Sequence, residues 1–179
     1  QSGLDNATER YNNYKVQPLQ YSFPKEFSGL LDSTAKTHDG KRIKAAIIRE
    51  KGSNSEREMA YAMHLAGFDV KDVHMTDLIS GRETLEDIRF IAAVGGFSNS
   101  DVLGSAKGWA GAFLYNEKAK SALDNFFKKE NTLSLGVCNG CQLFIELGLI
   151  NPEDEEKPRM AHNDSGKFEC NFTSVTIAE

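Results

Sequence analysis

The chain has 179 residues, 40% of them hydrophobic and 26% charged, with 21 Lys plus Arg against 26 Asp plus Glu and a net charge of −5. This is an ordinary soluble composition for one domain, or one domain with a tail, and its mild acidity speaks against a nucleic-acid backbone binder. No apolar run approaches the roughly 20 residues of a membrane span. The start of the chain is polar, and three cysteines are too few for a disulfide scaffold, so a cytoplasmic, reducing location is expected.

Residues 1–40 show no sustained periodicity. Tyr11, Tyr14, Tyr21, Phe23 and Phe27 are scattered among polar residues, and Pro18 and Pro24 oppose helix. The segment reads as an extended linker whose aromatics dock on a surface. Regular structure is expected from Lys41. Ile43 to Ile48 is a short apolar run suited to a buried parallel strand. Ser55 to Glu58 fits a capping box, and Met59, Ala62, Met63 and Ala66 follow at helical spacing up to Gly67. Phe68 to Val73 reads as a second strand, Thr84 to Ile88 as a short helix, and Phe90 to Val94 as a third strand ending at Gly95-Gly96. Ala119 to Lys129 is amphipathic helix. Leu133 to Val137 is a fourth strand, followed by a helix from Cys141 to Leu147. Residues 151–167 read as loop and Phe168 to Ile177 as a last strand. Strands alternating with helices predict an α/β fold: a doubly wound, mostly parallel sheet with helices on both faces.

In such a sheet, ligands bind beyond the carboxyl ends of the strands. Leu135 to Gln142 there has the form Gly-x-Cys-x-Gly at a strand-to-helix junction, the cysteine version of a nucleophile elbow. A sharp turn lifts the Cys138 side chain out of the sheet edge, and its neighbours at 136 and 140 must be small because strand and helix crowd together. A helix N-terminus favours the thiolate, and the Asn139 N–H points to where an oxyanion forms. Gly95-Gly96, after a buried strand, allows close backbone approach and supplies a second amide. Three other readings of Cys138 stand beside this one: a redox dithiol with Cys141, half of a zinc site completed by Cys170, His162 or His74, and a structural cysteine.

Gly95-Gly96-Phe97-Ser98 through Asp101-Val102-Leu103-Gly104 and Gly108-Trp109-Ala110, with Leu135 to Gln142, resembles the glutaminase domain of the phosphoribosylformylglycinamidine synthases of the large, fused type. The resemblance covers roughly residues 41–177. It implies a class I glutamine amidotransferase, of flavodoxin-like architecture, that makes ammonia for purine biosynthesis. Cys138 would attack the glutamine side-chain amide and form a thioester. The amides of Gly96 and Asn139 would hold the oxyanion. Gly95, Phe97, Ser98 and Gln142 would line the glutamine site, with Asn163, Ser165 and Phe168 of the polar loop over it. No metal is expected in this domain; ATP and Mg would act in a synthetase domain of the same longer chain, the expected partner besides glutamine. Residues 1–40 would connect from that domain and 41–179 form the amidotransferase domain, truncated at its C-terminus before the family's His-x-Glu segment. Alone, the fragment is expected to be almost inactive. The alternatives are a cysteine-elbow redox or hydrolase protein of similar fold, and a non-catalytic docking module.

Overall fold

Strand β1 (Lys44–Arg49) decides the architecture. Its apolar side chains alternate between two faces, and both are buried: Ala45 and Ile47 on one, Ala46 and Ile48 on the other. A strand covered twice belongs inside a parallel sheet with helices on each side. The computed structural model describes residues 2–13, 25–26, 28 and 40–170. Described residues 40–161 form one unit; those below 31 and those from His162 belong to a second.

In the first unit, β1 lies between β3 (Asp69–His74) and β4 (Phe90–Ala93), and β6 (Leu133–Gly136) follows, giving the order β3-β1-β4-β6 with every pairing parallel. On one face, α2 (Glu56–Leu65) packs Met63 against Ala45, Ile47, Ala92 and Val94. The other face carries α3 (Met75–Ser80), α4 (Lys107–Leu114), α5 (Glu117–Phe127) and α6 (Asn139–Glu146). Trp109, Phe113, Phe126, Leu143 and Phe144 from these helices meet Ile48 and Ile91 there. The doubly wound parallel sheet expected from the alternation of elements is the fold observed. A small antiparallel ladder joins β2 (Ser53–Asn54) to β5 (Gly95–Gly96), with Ser53 opposite Gly96 and Asn54 opposite Gly95. It ties together the carboxyl ends of β1 and β4. Among the described residues, no helix is long and apolar enough to cross a membrane.

Four local expectations change. The stretch read as extended holds a helix, α1 (Ser2–Asn13), with Asp5 in its first turn and Arg10 in its last. Those charges suit the helix dipole, and the first proline comes only at 18. Tyr11 on α1 is exposed, and Tyr14, Tyr21, Phe23 and Phe27 fall outside the described residues. The capping box at Ser55 is absent, because the ladder fixes how the chain enters α2 and holds Ser55 left-handed at φ 73° with no side-chain cap. A capping box instead opens α3: His74 accepts the Thr76 N–H, and Asp77 accepts the His74 N–H at 3.1 Å. Residues 84–88 are a turn rather than a helix. Glu83 captures the Thr84 and Leu85 amides at 2.9 and 2.8 Å, and Leu85 turns left-handed at φ 58°. Lys129 then donates to the carbonyls of Leu85, Glu86 and Ile88 at 2.8–3.0 Å. Finally, Phe168–Cys170 adopt no strand, and the rest of that predicted strand lies outside the described residues.

Candidate active site

The elbow is built by backbone contact. Cys138 caps the N-terminus of α6 at φ 53°, ψ −110°, a conformation that costs a non-glycine residue on the order of 1–3 kcal/mol. Its surroundings enforce it. The Val137 N–H donates to Ala93 O at 3.0 Å, Gly140 N–H to Val137 O at 2.9 Å and Gln142 N–H to Cys138 O at 3.1 Å. A Cβ on Gly136 would lie 2.6 Å from Gly140 O, and one on Gly140 only 2.1 Å from Ala93 O. The two small residues predicted around the cysteine are therefore required by the packing of β4, β6 and α6. The turn leaves Cys138 exposed, and all three cysteines are free.

The glycine pair after β4 comes to the same place. A Cβ on Gly95 would stand 3.3 Å from Cys138 Cβ and 3.9 Å from its Sγ. Gly96 has φ 110° and its Cα faces Asn54 N and Gly52 O so closely that a Cβ there would lie under 3 Å from both. The chain then runs through exposed Phe97 into a short 3-10 turn at Ser98–Asp101, where Asn99, Ser100 and Asp101 all have φ near +50°. Asn139 fastens this loop to the elbow. Its buried side chain accepts the Ser98 N–H at 3.0 Å and donates to Gln142 Oε1 at 2.8 Å. The Ser98 hydroxyl is buried and makes no hydrogen bond among the described residues. As the first residue of α6, Asn139 also has a backbone N–H without an intrahelical acceptor.

The structure thus brings Cys138, Gly95, Gly96, Ser98, Asn139 and Gln142 together. Asn163, Ser165 and Phe168 lie in the second unit. There Asn163 donates to Lys167 O at 2.8 Å, Ser165 donates to Glu169 Oε1 at 2.5 Å, and Phe168 is exposed. Among the described residues, no group of three or more His, Cys, Asp or Glu could hold a metal ion. Nothing in the local pattern marks the Asn139 side chain as a clamp. Its partner Ser98 is 41 positions away, and only three-dimensional proximity reveals the pairing.

Residues 42–179 match the family described as the CobB/CobQ-like glutamine amidotransferase domain. The chain belongs to this family. A relative from Arabidopsis thaliana, "Probable phosphoribosylformylglycinamidine synthase, chloroplastic/mitochondrial", is 51% identical over 142 residues, which are 76% of this chain and 10% of that protein. The solved structure of PurLQS from Thermotoga maritima superposes with a TM-score of 0.56 at 27% identity, over 73% of this chain and 53% of the other. The amidotransferase domain therefore spans a small part of the curated relative and about half of the solved chain it matches.

Proposed function

We propose that this amidotransferase domain hydrolyses glutamine at Cys138 and hands the ammonia to a synthetase that makes formylglycinamidine ribonucleotide for purine biosynthesis. The observation that carries the reading is Cys138 itself: an exposed thiol held at φ 53° on a helix N-terminus, against a wall of bare backbone at Gly95. The Cys138 thiolate attacks the side-chain amide carbon, and the N–H groups of Gly96 and Asn139 stabilise the oxyanion. Collapse of that intermediate breaks the C–N bond. Ammonia leaves after taking a proton, and the γ-glutamyl thioester remains until water hydrolyses it. Gln142, Phe97 and Ser98 contact the substrate, and a ligand atom would satisfy the orphan Ser98 hydroxyl.

The synthetase domain, with its ATP and Mg, is the partner in this reading, in a compartment that keeps the thiol reduced. Support comes from the plant relative's name and from the family match. The test is ammonia release from glutamine, and release that survives Cys138→Ala refutes the reading.

Residues 1–179 by themselves should release only traces of ammonia. In the described unit that carries Cys138, the histidines are His64 and His74. His64 Nδ1 meets Arg42 Nη1 at 2.8 Å, and His74 caps α3. Each has a structural partner, which supports proton transfer to the departing ammonia from a group outside that described unit. Turnover by these residues alone at the rate of the whole enzyme would refute this.

A further inference from the structure

We propose that Glu50 is a positioning residue for the glutamine site. It acts through the strap at residues 51–54 on the loop at residues 95–99. The proposal rests on the amidotransferase reading above.

Glu50 follows β1 at the carboxyl end of the sheet, and its side chain is only 10% exposed. A carboxylate withdrawn from water must be met by donors, and charged hydrogen bonds are about twice as strong as neutral ones. Glu50 Oε1 accepts the Lys51 N–H at 2.8 Å. His74 Nε2 stands 3.9 Å from the same oxygen. Because His74 Nδ1 accepts the Thr76 N–H, the proton of a neutral ring sits on Nε2, toward the carboxylate. The turn is closed a second time by Ser53, whose N–H donates to Glu50 O at 2.9 Å and whose Oγ accepts the Glu50 N–H at 3.3 Å.

The strap pinned in this way grips the loop beside Cys138. Gly52 O accepts the Phe97 N–H at 2.8 Å, and Lys51 O accepts the Asn99 N–H at 2.9 Å. Ser53 and Asn54 pair with Gly96 and Gly95. No side chain cushions these contacts: a Cβ on Gly52 would lie 2.3 Å from Phe97 O. A shift of the strap therefore passes directly to the backbone that faces Cys138 and carries the Gly96 amide. Displacing a catalytic group by about 1 Å can cost about 100-fold in rate.

The experiment compares kcat and KM for ammonia release from glutamine in the whole enzyme carrying Glu50→Ala, Glu50→Gln or Ser53→Ala. Hydrogen exchange at the Phe97 and Asn99 amides is measured alongside. Glu50→Ala is expected to lower kcat about 100-fold, with KM changed less than about threefold and both amides exchanging faster. Glu50→Gln keeps an oxygen for the Lys51 N–H and should recover kcat to within about fivefold of wild type. If Glu50→Ala does not fold, Ser53→Ala carries the test, with an expected loss of about tenfold in kcat at unchanged KM. A folded Glu50→Ala or Ser53→Ala enzyme with kcat within twofold of wild type overturns the proposal. So does a Gln variant as impaired as the Ala variant, or a rise in KM alone. Wild-type enzyme that releases no ammonia defeats the amidotransferase reading instead, and amide exchange at Phe97 and Asn99 then still decides whether Glu50 holds the strap.

Discussion

Asn139 and Ser98 are joined across 41 residues of sequence by one hydrogen bond of 3.0 Å, from the Ser98 N–H to the Asn139 Oδ1. The same side chain donates to Gln142 on the next turn of α6, so a single buried amide spans the loop, the elbow and the helix. Asn139→Ala leaves the Ser98 N–H buried and unpaired. The expected loss is about 1–3 kcal/mol, which for a chain of this size lowers the melting temperature by about 2–4 °C for each kcal/mol. Ammonia release should fall further than stability does, because Gln142 and the loop lose their common anchor. A thermal melt beside a glutaminase assay separates the two effects, and an unchanged rate would count against the anchor.

Gly140→Ala puts a methyl 2.1 Å from Ala93 O, where neither partner is a flexible side-chain end. Relief requires moving α6 away from β4. A cost above the usual 1–3 kcal/mol of overpacking is expected, together with loss of Cys138 reactivity even where the protein folds. Urea unfolding combined with thiol titration checks both, and wild-type stability would disprove the close approach.

An electrophilic glutamine analogue should label Cys138 and not Cys141. The first is exposed at the helix terminus beside the glycine wall, whereas the second is half-buried on α6. Labelling should vanish in Cys138→Ala and persist in Cys141→Ala when read by mass spectrometry of peptides. The opposite pattern would move the nucleophile to Cys141.

Glu83 makes the fold sensitive to acid. Burial raises its carboxyl pKa, but Lys71 and the amides of Leu85 and Thr84 outweigh that, and the net position is below the ordinary carboxylate value. A depressed pKa contributes stability that is fully present above the unfolded value of about 4.3 and is lost as pH falls through the folded value. Glu83→Gln should therefore be less stable than wild type at pH 7, and the gap should narrow as pH falls below about 4. Urea midpoints at pH 7 and pH 3 test this, and a gap of constant size would contradict it.

Much of this fold can be read along the chain because buried parallel strands are apolar on both faces. The runs at 43–48 and 90–94 announce themselves as β1 and β4. What could not be read follows from hydrogen bonds that override local pattern. Glu83 holds the Thr84 and Leu85 amides in a turn whose Leu85 is left-handed at φ 58°, which excludes a helix over 84–88, and the β2–β5 ladder turns Ser55 away from its capping role. α4 is hidden because Gly108 and Gly111 weaken its helical signal, although Trp109 and Phe113 bury it. At the site, the glycines around Cys138 were legible because steric exclusion writes itself as small residues. The clamp made by the Asn139 side chain and the part played by Glu50 were not, since a polar side chain does not disclose its partner.

The wall opposite Cys138 has a consequence for how such a site can change. Gly52, Gly95, Gly96, Gly136 and Gly140 meet backbone or Cys138 at distances that leave a methyl group no room, or only tight room at Gly95. Mutation cannot reshape the pocket from that side by adding side chains. New ligand preferences would have to be acquired from the rim, at positions such as exposed Phe97, while the floor beneath the thiol stays closed to sequence drift.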